Sequence, residues 1–168
     1  VIQLKDFSIK QTKYWDPNFK IDLYHTEEYF IDHLRELIEN TIKIQLRSDV
    51  ALGTYLSGGM DSSLVTMLSS KFMDSQIQTF TGAFDEGSEF DETKYARLVA
   101  QKSNSFYNEI YLTEDDFIQN LNKLIYHLDE PVVGPGVFPQ FMVSRFASSK
   151  VKVVLGGQGG DEIFGGYA

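Results

Sequence analysis

The chain has 168 residues, 42% of them hydrophobic, which is ample material for one domain with a buried core. Its net charge is −9 and its Lys and Arg residues form no cluster, which argues against nucleic acid as a partner because phosphate backbones are bound by clustered positive charge. The absence of cysteine excludes disulfides, thiolate metal ligands and a cysteine nucleophile from these residues. The sequence shows no signal peptide and no apolar run long enough to cross a membrane, so we predict no membrane partner and a cytoplasmic location.

Residues 1–25 are predicted to form a segment that precedes the domain and lies outside its core, called the lead-in segment below. Residues 5–9 alternate weakly between polar and apolar, which predicts one edge strand, and residues 15–18 (WDPN) predict a turn. Thr26 then caps a predicted amphipathic helix that extends to about Arg47. Because the chain begins with Val1 and not with Met, we expect it to be a piece of a longer protein.

Alternating strand and helix patterns fill the rest of the chain. An apolar strand at 50–56 leads through a glycine turn into a helix from Ser62 to about Phe72, and the same pattern then repeats. The further predicted elements are a strand at 77–84, a helix at about 91–102, a strand at 106–112, a helix from the Thr113 cap to about Leu128, a helix at about 139–149 and a strand at 151–155. This alternation predicts the α/β class, with a doubly wound parallel sheet and helices on both faces.

The glycine turn at residues 55–63 (YLSGGMDSS) is the most informative stretch. Gly58 and Gly59 let the backbone approach a ligand without interference from a Cβ atom. We expect the amides of residues 62–64 to be unpaired at the helix start, where the positive end of the helix dipole also attracts an anion. The turn therefore predicts a cradle for a phosphate chain.

Asp61 is unexpected beside a phosphate. A carboxylate about 4 Å from a phosphate charge repels it by roughly 4 kcal/mol at an effective dielectric constant near 20. This repulsion exceeds the stabilisation that a helix N-terminus gives to an anion. A cation must then lie between them, and Mg²⁺ fits because it takes one or two carboxylates and completes its coordination with phosphate oxygens and water. The alternative that stays open is that Ser57 or Asp61 is an ordinary helix N-cap.

A second glycine loop follows the last predicted strand, at residues 156–162 (GGQGGDE), and contains Asp161. The strand after a long crossover usually returns beside the first strand of a doubly wound sheet, so the two glycine loops are expected to face each other at the switch point, where such sheets bind ligands. We therefore expect Asp61 and Asp161 to share one metal ion there.

Other phosphate and hydrolase motifs are missing from the chain. Neither loop has the Gly-Lys-Ser/Thr ending of a P-loop or the glycine spacing of a dinucleotide fingerprint. A serine hydrolase elbow is also missing, and we interpret the three histidines as ordinary residues.

Residues 57–63 resemble the pyrophosphate loop of the ATP pyrophosphatases that form adenylates. Three further groups of residues point to one family among these enzymes. They are residues 90–92 (FDE) with 95–97 (YAR), residues 129–131 (DEP) with 144–145 (SR), and residues 153–155 (VVL) through 165–167 (GGY). Together they resemble the synthetase domain of glutamine-hydrolysing asparagine synthetases, from about Thr26 to the last residue.

The resemblance implies the adenine nucleotide alpha hydrolase-like fold and a ligase that uses ATP and Mg²⁺. Such an enzyme activates aspartate as an aspartyl adenylate with release of pyrophosphate, and ammonia then attacks to give asparagine and AMP. The implied site residues are Ser57, Gly58, Gly59, Ser62 and Ser63 for pyrophosphate, Asp61 and Asp161 for Mg²⁺, Leu56, Gly82, Gly156 and Gly157 for adenosine, and Gln158 where well-studied members have a glutamate thought to act as base.

The chain also departs from the family pattern. The family's glutaminase domain is missing, so ammonia must come from elsewhere, and the family's synthetase domain continues beyond residue 168. We therefore interpret residues 1–25 as a lead-in from a missing N-terminal domain and residues 26–168 as the N-terminal part of the synthetase domain, incomplete at its C-terminal end. The resemblance leaves a homodimer of the parent protein open.

Three alternatives remain at this point. Residues 132–137 contain no charged side chain that would identify aspartate as the acceptor, and relatives on this scaffold cyclise peptides or β-lactams or amidate sugars. The chain could also be a catalytically silent nucleotide-binding module. Because the amide of Gln158 cannot take a proton, another carboxylate such as Glu130 is a candidate base.

Overall fold

The computed structural model describes residues 2–5, 8–84, 93–130, 134 and 136–166, which divide into two compact units, 1–35 and 36–168. In the first unit, strand β1 (Ile2–Lys5) pairs antiparallel with strand β2 (Ser8–Gln11), and Lys5 lies opposite Ser8. The prediction of one edge strand over residues 5–9 is therefore wrong, because the chain reverses direction between Lys5 and Ser8. Residues 6 and 7 lie outside the described residues.

Helix α1 (Glu27–Gln45) begins directly after Thr26, as predicted, and the Tyr29 N–H donates to Thr26 Oγ1 at 3.3 Å. The second unit then alternates strands and helices. In chain order these are β3 (Leu52–Tyr55), α2 (Met60–Phe72), β4 (Gln78–Phe84), α3 (Thr93–Lys102), β5 (Phe106–Leu112), α4 (Glu114–Leu128), α5 (Val137–Ser148), β6 (Val153–Leu155) and α6 (Gly160–Phe164). Along the described residues, no helix is both long and apolar enough to cross a membrane.

The strands of the second unit form one parallel sheet in the order β5-β4-β3-β6. This order confirms that the last strand returns beside the first strand of the sheet. Leu52 lies opposite Val153, and Thr54 lies opposite Leu155. Since parallel strands end at the same edge of the sheet, the loops after β3 and β6 emerge side by side.

Helices cover both faces of the sheet, as predicted. On one face Leu56 packs with Ala96 and Ala100 of α3, and on the other Phe80 packs with Val143 and Ala147 of α5. The two central strands also bury polar side chains, because the hydroxyls of Thr54, Thr79 and Thr81 are all hydrogen-bonded inside the domain.

Helix α2 begins at Met60, two residues before the predicted start. Gly58 has a φ of 95°, which turns the chain ahead of Asp61, and Gly59 takes the N-cap position with extended backbone. The Ser63 N–H donates to the Gly59 carbonyl at 3.1 Å. The free amides at the helix start are therefore those of residues 60–62, and the prediction of 62–64 is corrected.

Helix α2 is attached to the sheet by a buried polar contact. Thr54 on β3 and Thr66 on α2 are both fully buried, and their hydroxyl oxygens are 2.9 Å apart. Such a pair holds the helix at one height along the strand, because each hydroxyl loses its partner if the helix slides.

We predict that Thr54→Val lowers the free energy of unfolding by about 1–3 kcal/mol, because the Thr66 hydroxyl is left buried without this partner. The double variant Thr54→Val/Thr66→Val is expected to recover most of this loss, because both polar groups are then removed together. Urea denaturation followed by circular dichroism measures both variants. Equal destabilisation by the single and the double variant would contradict the assigned role of the hydrogen bond.

Candidate active site

The two glycine loops touch each other. A Cβ atom on Gly157 would lie 2.8 Å from the Cβ of Asp61 and 3.0 Å from the amide nitrogen of Ser62. Gly160, in the same loop as Gly157, lies against the carboxylate of Asp61. The second loop thus packs with its backbone directly on the first turn of α2, and only glycine permits this distance.

The first loop is ordered by its own serine hydroxyls. Ser62 Oγ donates to the Gly59 carbonyl at 3.2 Å and accepts the Ser57 N–H at 3.2 Å. The two hydroxyl oxygens are 2.9 Å apart, so Ser57 supplies the proton between them, and Ser57 Oγ in turn accepts the Gly59 N–H at 3.2 Å. Because both hydroxyl protons are used inside the loop, the donors left for a ligand are the backbone amides of residues 60–62.

A cleft of about 660 Å³ lies between the loops. Asp61, Asp161 and Glu162 line it, together with polar groups of both loops, and none of its described lining residues is Lys or Arg. Within the described part of the chain, neither Asp61 nor Asp161 takes part in a salt bridge. An anion could enter this acidic cleft only with a cation that offsets the carboxylate charge.

The donor set suits Mg²⁺. Across the described residues, no group of three or more His, Asp or Glu side chains converges on one point, so protein carboxylates alone would not surround an ion. Asp61 and Asp161 can supply two oxygen ligands to the cleft, and Mg²⁺ is commonly held by one or two carboxylates plus phosphate oxygens and water.

A second, smaller cavity of about 270 Å³ adjoins the cleft. Its lining is mainly apolar and includes Leu56, Gly82 and Phe80. Gly82 is also a packing position, because a Cβ there would lie 2.8 Å from Cγ2 of Val143 on α5. The cavity has the size and the apolar character of a site for a flat ring system.

The structure distributes the sequence-predicted site residues unevenly. Leu56 and Gly82 line the smaller cavity, Ser57 lines both, and the members that line the larger cleft include Gly59, Asp61, Ser62, Gly157, Gln158 and Asp161. Gly58, Ser63 and Gly156 line neither cavity. Gly156 lies instead beneath the folded-back side chain of Gln158. Glu130, the alternative base, also lines neither cavity.

At the junction of the two cavities, the sequence motifs included Tyr55 and Ser144 without assigning them a role, and Gln140 was missed. Tyr55 and Gln140 line both, and Ser144 joins them, with its Oγ 2.8 Å from the Tyr55 hydroxyl and donating to the Gln140 carbonyl at 2.5 Å. Residues 140 and 144 share one face of α5, which was visible in the sequence. That this face meets the ends of β3 and β6 depends on tertiary packing, which no local pattern reveals.

Neither conspicuous arginine reaches the two cavities. Arg97 makes two hydrogen bonds to Glu109, at 2.6 and 3.1 Å, and Arg145 donates to Asn120 at 3.2 Å. Burial raises the pKa of Glu109, but the hydrogen bonds from Arg97 and two tyrosines outweigh it and hold the pKa below its usual range. Burial and the hydrogen bond to Glu109 raise the pKa of Tyr107 to about 12. Both arginines thus join their own helix to a neighbouring element, Arg97 of α3 to β5 and Arg145 of α5 to α4.

Residues 33–168 match the sequence model of the family described as Asparagine synthase. This chain belongs to the asparagine synthase family. A Methanocaldococcus jannaschii protein, provisionally named glutamine-hydrolyzing asparagine synthetase 2, is 36% identical over 99% of this chain and 32% of its own length. The glutamine-hydrolyzing asparagine synthetase 1 of Bacillus subtilis is 31% identical over 96% of this chain and 25% of its own length. The chain therefore spans about a third or less of the length of these curated relatives.

A solved structure shares the fold. The NH3-dependent NAD synthetase from Campylobacter jejuni, in complex with a nitrate ion, aligns with a TM-score of 0.53 and 18% identity over 82% of this chain and 60% of that chain. At this identity the likeness concerns the architecture, a parallel α/β sheet, and not the chemistry.

Part of the motif set that suggested the asparagine synthase family lies outside the described residues. These positions are residues 90–92, 131 and 167, together with residues 132, 133 and 135 of the loop considered for acceptor recognition. The glycine loops and their neighbours, which are described, therefore carry the structural argument.

We predict that Gly157→Ala pushes the two glycine loops apart, because the new methyl group would meet the Asp61 backbone at 3.0 Å. The expected cost is about 1–3 kcal/mol of stability, together with weaker binding of magnesium pyrophosphate. Gly134→Ala is the matched control, since no described atom lies within 4 Å of a Cβ at that position. Thermal unfolding and calorimetric titration compare the two variants, and equal behaviour would contradict the close packing of the loops.

Proposed function

We propose that this chain forms part of an ATP-dependent amide-forming ligase that activates aspartate as an aspartyl adenylate and releases pyrophosphate. Ammonia then attacks the adenylate to give asparagine and AMP. The observation that carries the proposal is the contact between the two glycine loops, which brings Asp61, Asp161 and the free amides of residues 60–62 to one cleft. Membership of the asparagine synthase family supports the same chemistry.

ATP would lie across both cavities. The smaller cavity, lined by Leu56, Phe80 and Gly82, suits adenosine, and the larger cleft suits the β- and γ-phosphates. The α-phosphate would then lie at the junction beside Tyr55 and Gln140. The amides of residues 60–62 would donate to the pyrophosphate group, helped by the positive end of the α2 dipole.

Asp61 and Asp161 would hold Mg²⁺ in this cleft. The ion, when bound, offsets the negative charge that develops on the departing pyrophosphate. Gly157 and Gly160 keep the Asp61 backbone and carboxylate in place, and the serine hydrogen bonds of the first loop fix the amides that face the phosphates. Such preorganised donors stabilise a developing charge without reorganising during the reaction.

Ammonia would come from a separate source. These residues contain no cysteine that could serve as a glutaminase nucleophile, so we assign ammonia release from glutamine to another domain of the parent protein. Aspartate is the proposed acceptor, and a homodimer of the parent protein stays a prediction.

We predict that Asp61→Asn weakens magnesium-dependent binding of pyrophosphate about tenfold or more, because the cleft loses one of its carboxylate ligands. Asp115→Asn, on the exposed first turn of α4, is the matched control. The measurement is isotope exchange between ATP and pyrophosphate over a series of magnesium concentrations, with circular dichroism to check folding. If Asp61→Asn lowers the thermal stability of the domain but leaves the magnesium dependence of exchange unchanged, Asp61 serves only the packing of the two glycine loops.

A catalytically silent nucleotide-binding module is the second candidate, because Gln158 takes the place of a base. Pyrophosphate release with ATP, magnesium and ammonium, measured over a panel of carboxylates, separates the candidates. Release that depends on aspartate supports the ligase. Release that depends on a peptide, a β-lactam precursor or a sugar acid identifies a family relative with another acceptor, and ATP binding without any release identifies the silent module.

We predict that Gln158→Glu raises the rate of ammonia transfer relative to adenylate formation, because a carboxylate can take the proton from the attacking amine and an amide cannot. The measurement is the ratio of amide formation to ATP–pyrophosphate exchange in the full-length protein. An unchanged ratio would mean that Gln158 does not limit proton transfer and that the base lies elsewhere.

A further inference from the structure

Gln140 joins the second glycine loop to helix α5. Its Oε1 accepts a hydrogen bond from Gln158 Nε2 at 3.5 Å, and its Nε2 donates to Ser144 Oγ at 3.3 Å. The two glutamine side chains thus meet end to end over the larger cleft, which both of them line.

The single hydroxyl proton of Ser144 sets the direction of the other hydrogen bonds in this network. Ser144 Oγ donates this proton to the backbone carbonyl of Gln140, so it accepts hydrogen bonds from the Tyr55 hydroxyl and from Gln140 Nε2. Since Gln140 Nε2 faces Ser144, Gln140 Oε1 faces Gln158. The Gln158 atom next to it must be the Nε2 donor, because Gln158 Oε1 in that place would face another acceptor oxygen.

The orientation of the Gln158 amide is therefore determined from α5. Its Nε2 lies in the larger cleft, 3.5 Å from Oε1 of Gln140, and its Oε1 lies over Gly156, where a Cβ atom would collide with it. Under the proposed function the acyl group reacts where the two cavities meet, beside Gln140. One N–H of Gln158 donates to Gln140, so Gln158 presents its other N–H, and not its carbonyl oxygen, to the reacting carbonyl.

We propose that Gln140 is a positioning residue that holds Gln158 as a hydrogen-bond donor to the oxygen of the aspartyl adenylate during attack by ammonia. The proposal rests on the proposed function. The donor would stabilise the negative charge that develops on the carbonyl oxygen as the new C–N bond forms, and that charge returns to the carbonyl when AMP leaves. The proton lost from the attacking ammonia goes to solvent or to a base elsewhere.

The test compares amide formation with ATP–pyrophosphate exchange in the full-length protein. Gln140→Met keeps the length of the side chain but removes the acceptor, and we expect it to lower the ratio of the two rates by about twofold to tenfold, the range for one neutral hydrogen bond. Because Gln140 also lies beside the proposed α-phosphate position, exchange itself can change, and the readout is therefore the ratio of the two rates. Gln140→Glu keeps an acceptor for Gln158 Nε2 and is expected to restore most of the ratio.

Gln119→Met is the matched control, because Gln119 is an exposed glutamine on α4 that lines neither cavity. The inference fails if Gln140→Met behaves like this control. It also fails if Gln140→Met and Gln140→Glu lower exchange and amide formation in parallel, because Gln140 then serves only the fold. If the wild-type protein shows no exchange with any carboxylate, the proposed function itself fails, which is a separate outcome.

A second measurement does not depend on activity. In protein labelled with ¹⁵N-glutamine, the side-chain amide signal of Gln158 is assigned by its loss in Gln158→Leu. We expect this amide to be more mobile in Gln140→Met than in wild type and unchanged in Gln119→Met. Equal mobility in all three proteins would overturn the positioning role whatever the reaction is.

A coupling experiment follows from the same geometry. Gln158→Glu exchanges the N–H donor for a carboxylate that can take the ammonia proton. It also places this carboxylate against Gln140 Oε1, an acceptor facing an acceptor, and Gln140→Met removes that conflict. We expect the effect of Gln158→Glu on the rate ratio to differ between the two backgrounds by about twofold to tenfold. Effects that simply multiply would show that the two positions act independently.

Discussion

The contact between Gly157 and the first turn of α2 is the constraint on which the site depends. It holds because β6 pairs directly with β3, which brings the loops after these strands to one edge of the sheet. A side chain at Gly157 would separate the loops, and Asp61 and Asp161 would then no longer line a common cleft. The packing of two backbones thus determines where the charges of the site lie.

The sheet could be predicted because its signals are local or follow general rules. Strand β5 and helix α4 have their predicted bounds at Phe106–Leu112 and Glu114–Leu128, since apolar periodicity and the Thr113 cap mark them clearly. The position of β6 beside β3 followed from the handedness and order of doubly wound folds. The start of α2 was wrong by two residues, because the left-handed backbone of Gly58 is a conformational choice that the sequence permits but does not dictate.

The sequence predicted only those site residues that belong to a recognisable motif. The glycine loops and their aspartates stood out in the sequence. Tyr55 and Ser144 lay within quoted motifs but had no assigned role, and Gln140 looks ordinary in its own segment. Their hydrogen bonds join β3 to α5 across 89 residues of sequence. Side chains that meet only through tertiary packing leave no local pattern, so their grouping had to be observed.

The pairing of β6 with β3 has a consequence for how the protein is made. Strand β3 emerges from the ribosome about a hundred residues before its partner, and contacts so distant in sequence form late in folding. The cleft therefore forms only when the last strand has docked, and under the proposed function the nucleotide finds a complete site only then. Ligand that binds the docked state alone adds its binding free energy to this final step, so cellular ATP would act as a folding aid for its own site.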